Sequence, residues 1–292
     1  MTEREDASLE RPAFLSRLER FGSIPSTNDV VRSWLAAGTA EVCAAVAGEQ
    51  TAGRGRSGRT WTAPPGAGLL LSLGFRPSYL VPDRFWRLGA IVALAMADAA
   101  EDSCGLRAGT IRLKWPNDLV VEAAAEGAGV RAVEAGSLRK LGGVLGEAED
   151  AGTAYPRVVV GLGVNADWAR TEFPAELAGS MTSLREVSGG RPVDRDALLE
   201  EFLLRLEARY LALQVGRFDV ASWHERQVTT GRRVSLEGPG GAVHEALAVG
   251  VDGATGALMV QDAGGGEREI LAGEVVHVRL AEPRAERGGV TR

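Results

Sequence analysis

The chain has 292 residues, 45% hydrophobic and 25% charged, the composition of an ordinary globular protein with room for one large domain or two unequal ones. A net charge of −6 sets the molecule as a whole against DNA, RNA and anionic lipid, so any anion it takes must be bound by a local patch. No run approaches the ~18 apolar residues a membrane helix needs, and the opening MTEREDASLERPAFLSRLER alternates acid and base without the apolar core of a signal peptide, which makes the cytoplasm the expected compartment.

In chain order, the first predicted element after this charged leader is a helix. Ser26 and Thr27 precede NDVVRSWLAAG, where Val30, Val31, Trp34 and Leu35 share a face and Gly38 ends it. Cys43 to Ala47 reads as a short apolar strand and GLLLSLGF, 68 to 75, as a buried one, with an arginine-rich excursion between them. Phe85 to Cys104 carries a long apolar helix pattern. Ile111, Leu113 and Trp115 alternate with polar neighbours and predict a strand stopped by Pro116. Residues 121 to 138 are small, charged and glycine-broken and read as an exposed, mobile insertion. Lys140 to Glu147 and Arg157 to Asn165 are two further strands. Asp194 caps a helix to Leu213 whose inner side is Leu198, Leu199, Phe202, Leu203, Leu206 and Tyr210. From Thr229 to about Leu280 the texture changes to short strands separated by GPGG, DGATG and AGGGE, the pattern of a small all-β barrel. The expected organisation is a leader (1–20), a large domain (21–228), the barrel (229–282) and a frayed tail (283–292).

GEQTAGRGRSGRTW, 48 to 61, is the most distinctive stretch. Its glycines let the backbone approach a ligand, and Arg54, Arg56 and Arg59 offer forked donors that match carboxylate and phosphate oxygens, so the loop reads as an anion clamp. As an isolated cluster it is equally a solvated basic loop, and it is not a Walker A sequence, because Arg54-Gly55 stands where Lys-Ser/Thr is required. Lysine occurs only at Lys114 and Lys140, arginine supplying the other basic residues, so these two positions invite a chemical explanation. Lys114 opens KWPNDL and Lys140 opens the glycine-bared strand KLGGVLGE; GLGVN, 161 to 165, thins a strand in the same way without forming a dinucleotide fingerprint. Cys43 and Cys104 are isolated and without histidine companions at metal spacing, while His224, His244 and His277 fall in or near the barrel, so neither zinc nor a nucleophilic dyad is expected. The inventory suits a polyphosphate bound near a carboxylate.

In order and wording, SIPSTND, GEQTAGRGRSGRTW, KWPNDL, RKLGGVLGE and VVGLGVN resemble the successive signatures of the biotin protein ligase family, also called biotin–[acetyl-CoA-carboxylase] ligases, over roughly residues 20 to 280. The resemblance implies an α+β fold: a class II synthetase-like mixed sheet flanked by helices, then a small SH3-like C-terminal barrel. It implies that biotin and Mg-ATP yield biotinyl-5′-AMP and pyrophosphate, and that the biotinyl group then passes to one lysine of a biotin carboxyl carrier domain. Ser26, Thr27, Asn28 and Gln50 would hold the ring end of biotin; Arg54, Gly55 and Arg56 would close over its carboxylate and the phosphate, with Arg59 and Trp61 over the nucleotide. Lys140, with Arg56, would be the catalytic cation. Asn117 and Asp118 would place ATP and magnesium, Asp118 being the metal ligand, and Asn165 would line the adenine side. Some members begin with a DNA-binding domain, whereas about 20 residues precede the first motif here, so no repressor activity and no nucleic-acid or membrane partner is expected. A lipoate or octanoyl transferase, a nucleic-acid-binding module and a non-catalytic biotin sensor are the rival readings. Monomer and homodimer are both left open.

Overall fold

In the computed structural model, residues 12–123, 137–275 and 277–280 are described; most of the stretch read as a leader, most of the 121–138 insertion and the tail lie outside them. The larger sheet has seven strands: β1 (Arg17–Ile24), β2 (Cys43–Gln50), β3 (Gly68–Phe75), β4 (Ile111–Lys114), β5 (Asp118–Glu122), β6 (Leu138–Glu149) and β7 (Arg157–Asn165). Their order across the sheet is β1-β2-β3-β7-β6-β5-β4, with β1 parallel to β2 and every other pair antiparallel.

The alternation of side chains along β2 separates two layers of core. Cys43, Ala45 and Ala47 pack with Val31, Trp34 and Leu35 of α1 (Thr27–Ala36), while Ala44 and Val46 face the other way. That other face is covered by α2 (Trp86–Ser103) and, beyond the short α3 (Leu184–Val187), by α4 (Arg195–Gln214). The predicted inner side of α4 is buried as a set, and Asp194 caps it by accepting from the amides of Asp196 at 2.9 Å and Ala197 at 3.1 Å. α5 (Val220–Glu225) follows. A second sheet, antiparallel and five-stranded among the described residues, follows: β8 (Arg233–Glu237), β9 (Val243–Val251), β10 (Leu258–Gln261), β11 (Glu267–Ile270) and β12 (His277–Leu280), ordered β11-β10-β9-β8-β12. The architecture is the expected α+β one, a mixed sheet flanked by helices with a small C-terminal β unit.

Two expectations need correction. β1 begins inside the stretch read as a leader: its charges hid an edge strand, because Arg20 pairs with Asp196 of α4 at 2.7 Å and Arg17 lies 3.9 Å over the Trp34 ring. The ends of the supposed insertion are also strand. Val121 pairs with Arg139 and Glu122 with Leu138, and the amide of Ala123 donates to Ser137 O at 2.8 Å, so only 124–136, outside the described residues, is left of it.

The smaller sheet is docked where it can support the KWPND turn. Trp86 meets Phe218 edge-on with centroids 5.2 Å apart and lies against Gly256, where a Cβ would come within 2.6 Å of the indole. Trp115 Nε1 donates to Gly256 O at 2.9 Å, and the Trp115 amide donates to Thr229 Oγ1 at 3.0 Å. The turn is thereby held at both backbone and ring.

Candidate active site

A cavity of about 110 Å³ lies on the α1 side of the large sheet, between the start of that helix, the end of β2, the arginine loop and the middles of β6 and β7. Ser26, Thr27, Asn28, Gln50, Arg54, Gly55, Arg56, Arg59, Trp61, Asn117 and Lys140 all line it, so the structure brings together eleven of the thirteen predicted positions. Asp118 borders the neighbouring cavity and touches the first through Lys140. Asn165 is the exception: it is 5% exposed at the end of β7, and its Nδ2 donates to Thr182 O at 2.9 Å, so it braces the sheet instead of facing the cavity.

The floor is a preorganised polar cluster. Gln50 Oε1 accepts from the Thr27 amide at 2.8 Å and from Thr27 Oγ1 at 3.1 Å; Ser72 Oγ lies 2.7 Å from Thr27 Oγ1 and 2.5 Å from Asn28 Oδ1. Asn28 Nδ2 donates to Glu147 Oε2 at 2.6 Å. Ser26 occupies the N-cap position, yet its hydroxyl does not cap α1; it lies on the cavity wall. Thr27, Asn28, Gln50 and Ser72 are each fixed by another of these side chains or by Glu147, the condition for holding a ligand with little reorganisation cost. Glycine makes the room: a Cβ at Gly161 would come within 2.3 Å of Asn28 Oδ1, and one at Gly163 within 2.7 Å of the Trp61 ring.

The loop itself is latched down. Arg54 grips Asp29 through two bonds, Nη1 to Oδ2 at 2.8 Å and Nη2 to Oδ1 at 2.6 Å, and this guanidinium, helped by Arg32, holds the Asp29 carboxyl below the usual carboxylate range. Gly58 takes the left-handed conformation at φ 72°, which lets the chain turn back toward Arg59. Arg56 reaches the other way, donating from Nη2 to Ala272 O and, at 3.1 Å, to Val275 O. The smaller sheet thus completes the lid. Neither Asp29 nor the 272–275 segment was legible as part of the site, though Asp29 stands inside the SIPSTND motif.

Lys140 Nζ sits 2.6 Å from Asp118 Oδ1 and 5.5 Å from the centroid of the Trp61 ring, so one ammonium joins the carboxylate, the aromatic wall and the arginine loop. Asn117 closes the end of the short β4–β5 hairpin against β6: its carbonyl accepts from the Val144 amide at 2.9 Å and its Nδ2 donates to Val144 O at 3.0 Å. Beyond Asn117 a second cavity of about 280 Å³ opens between α2, the KWPND turn and the smaller sheet, sharing Arg56, Asn117, Val144 and Leu145 with the first. No thiol nucleophile is available, since Cys43 and Cys104 are buried and free, burial pushing the Cys43 thiol up to about 11. Among the described residues no group of three or more His, Cys, Asp or Glu side chains forms a metal cage, and no helix is long and apolar enough to cross a membrane. The arrangement offers cations, fixed polar groups and an aromatic wall, which is equipment for positioning and charge stabilisation.

Comparison with known proteins gives this geometry a family. The model of the biotin/lipoate A/B protein ligase family matches residues 21–165, and that of the biotin protein ligase C-terminal domain matches 229–278. The biotin–[acetyl-CoA-carboxylase] ligase of Mycobacterium tuberculosis is 34% identical over 236 residues, covering 80% of this chain and 78% of that one. The chain belongs to the biotin protein ligase family. A further biotin–[acetyl-CoA-carboxylase] ligase, from Paracoccus denitrificans, is 30% identical over 79% of this chain and 88% of its own. Among solved structures, the biotin protein ligase of Aquifex aeolicus in complex with biotin and ATP superposes with a TM-score of 0.70 at 25% identity, covering 91% of this chain and 99% of that one. As a biotin ligase, this protein is an enzyme whose two matched segments correspond to the two sheets that meet at the lid.

Proposed function

We propose that this ligase joins biotin to ATP as biotinyl-5′-adenylate, with release of pyrophosphate, and then transfers the biotinyl group to the ε-amine of a lysine on a biotin carboxyl carrier domain. The observation that carries this reading is the cavity in which the fixed cluster at the start of α1 and the cations Arg56 and Lys140 share one wall. Thr27, Asn28, Gln50 and Ser26 hold the ureido and ring end. The valeryl carboxylate then points at Lys140 and Arg56, beside the α-phosphorus.

In the first step a carboxylate oxygen forms a bond to the α-phosphorus and the bond to the bridging oxygen of pyrophosphate breaks, both reactants being anions. Catalysis therefore rests on neutralisation by the guanidinium of Arg56 and the ammonium of Lys140, a compact charge able to follow the negative charge as it shifts. Arg54, held to Asp29, keeps the loop closed, and Trp61 and Arg59 cover the nucleotide. In the second step the carrier amine nitrogen bonds to the acyl carbon, the bond from that carbon to the phosphate oxygen breaks with its electron pair on AMP, and the amine proton passes to water. Magnesium binds through one or two carboxylates plus nucleotide phosphates in sites of this type. Asp118, the carboxylate on Lys140, would hold it, and the ion would supply further charge neutralisation on the phosphates.

The test is incubation with biotin, Mg-ATP and a carrier domain, omitting each component in turn and reading the mass of the carrier. A single biotinyl addition that needs all three is expected; no pyrophosphate release with biotin, or faster use of lipoate in its place, would overturn the reading in favour of a sensor or a lipoate transferase. Gly161→Ala supplies a second check. Its methyl would press on Asn28 Oδ1, which can give way only by breaking its bonds to Glu147 and Ser72, so biotin affinity should fall about tenfold or more by calorimetry. Unchanged affinity would detach Asn28 from biotin.

A further inference from the structure

The outward face of α4 carries an apolar stripe that no other described residue covers. Leu204 is 62% exposed, Leu211 50% and, at the C-cap, Val215 66%, three of the nine large apolar residues exposed among the described residues. Ala197 and Ala208 are exposed on the same line. Successive steps of seven, four, three and four residues from Ala197 to Val215 keep all five within one narrow strip of the helix surface, the spacing of the two seam positions of a coiled coil. A helix face that stays in water carries polar side chains, so a stripe of this kind is the surface of a contact.

The charges at its two ends say what meets it. Glu200 stands beside the stripe near its N-terminal end and Arg217 just past its C-terminal end; both are exposed, and neither side chain has an ion pair among the described residues, whereas Arg205 is held by Glu201 at 2.7 Å and Arg209 by Asp98 at 2.5 Å. A stripe with a free acid at one end and a free base at the other is complementary to its own reverse. We propose that two copies of this chain pair through α4, antiparallel about a two-fold axis, with Leu204 opposite Val215 of the second copy and Ala208 opposite its Leu211. Each contact then occurs twice, making four apolar layers, and the small side chain of Ala208 lets the helix axes approach. Glu200 of each copy comes level with Arg217 of the other. Asp219, at the same level, is already held by Arg209 at 3.5 Å and by the Ser222 amide at 3.0 Å. A parallel pair would set Glu200 against Glu200 and Arg217 against Arg217. Because α4 lies on the α2 side of the large sheet and the first cavity on the α1 side, pairing leaves that cavity open. Four layers make a small contact, below about 1,200 Å² in total, which corresponds to a dimer Kd of about 1–100 μM.

Sedimentation velocity of the whole chain over about 1–200 μM should show its mass double as concentration rises. Leu211→Glu should stay monomeric throughout, with thermal unfolding unchanged at concentrations where both proteins are monomers; Leu204→Gln serves in its place if that variant does not fold. Glu200→Arg or Arg217→Glu alone should weaken the dimer about five- to tenfold, since each sets like charges together at both ends, and the two combined should restore it to within about twofold. A wild-type protein that is monomeric over the whole range overturns the proposal. So does a dimer that survives Leu211→Glu, which would place the contact on another face such as a sheet edge, and a dimer indifferent to the charge exchanges overturns the antiparallel register.

Discussion

Lys140→Ala is expected to slow adenylate formation by about 10² to 10³, the usual cost of removing one well-placed charge-stabilising donor. The fold should survive it. The Lys140 backbone is pinned on both sides, its amide donating to Ser180 O at 2.8 Å and its carbonyl accepting from Thr182 N at 2.9 Å, and alanine keeps both bonds. What is lost is the ammonium 2.6 Å from Asp118, a pair with side chains 35% and 20% exposed, whose contribution to stability is about 0–1 kcal/mol after solvent screening. Lys140→Arg should recover little, because a planar guanidinium cannot occupy the place of a compact ammonium between Asp118 and the Trp61 ring. Single-turnover pyrophosphate release is the measurement, and a near-normal rate in the alanine variant would remove Lys140 from the mechanism.

The largest loss of stability is expected at Arg226, which lines neither cavity although its neighbour Gln227 lines the second. Its Nη2 donates to Asp98 at 2.6 Å and Glu101 at 2.8 Å, and its Nη1 to Glu101 at 2.9 Å and to Ile111 O at 2.7 Å. The Glu101 side chain is 4% exposed and accepts in addition from the Ile111 amide at 2.7 Å. Arg226→Met leaves that carboxylate buried without its cation, so unfolding by denaturant should show a loss of about 3–5 kcal/mol. Asp98 keeps Arg209 at 2.5 Å and adds little to the loss. Combining Arg226→Met with Glu101→Leu should regain a large part of it, since removing both charges removes the unpaired one. A loss below about 1 kcal/mol in the single variant would mean that the network is dispensable. Because Ile111 begins β4, which ends at Lys114, this network also sets where the KWPND turn meets the site.

Elements with a local period were legible. The inner face of α4, the apolar runs of β3 and β7 and the short strands of the smaller sheet each announce themselves within a few residues, because burial of one face imposes a repeat of 3.6 or 2 on neighbouring positions. The arginine loop was legible for another reason: glycines beside guanidinium groups satisfy no packing demand, so their chemistry stands out. β1 was not, since an edge strand with charges that find partners at a distance loses its apolar alternation.

The sequence by itself determined the family, the order of the elements and the residue types that a carboxylate and a polyphosphate require. Only the tertiary structure decided which of those residues meet: that Arg54 turns to Asp29, that Arg56 crosses to the carbonyls of Ala272 and Val275, and that Asn165 braces Thr182. Side-chain type and spacing are local properties of the chain. The choice of partner for a charge is made between segments up to 219 residues apart, by the packing of two sheets against α2 and α5.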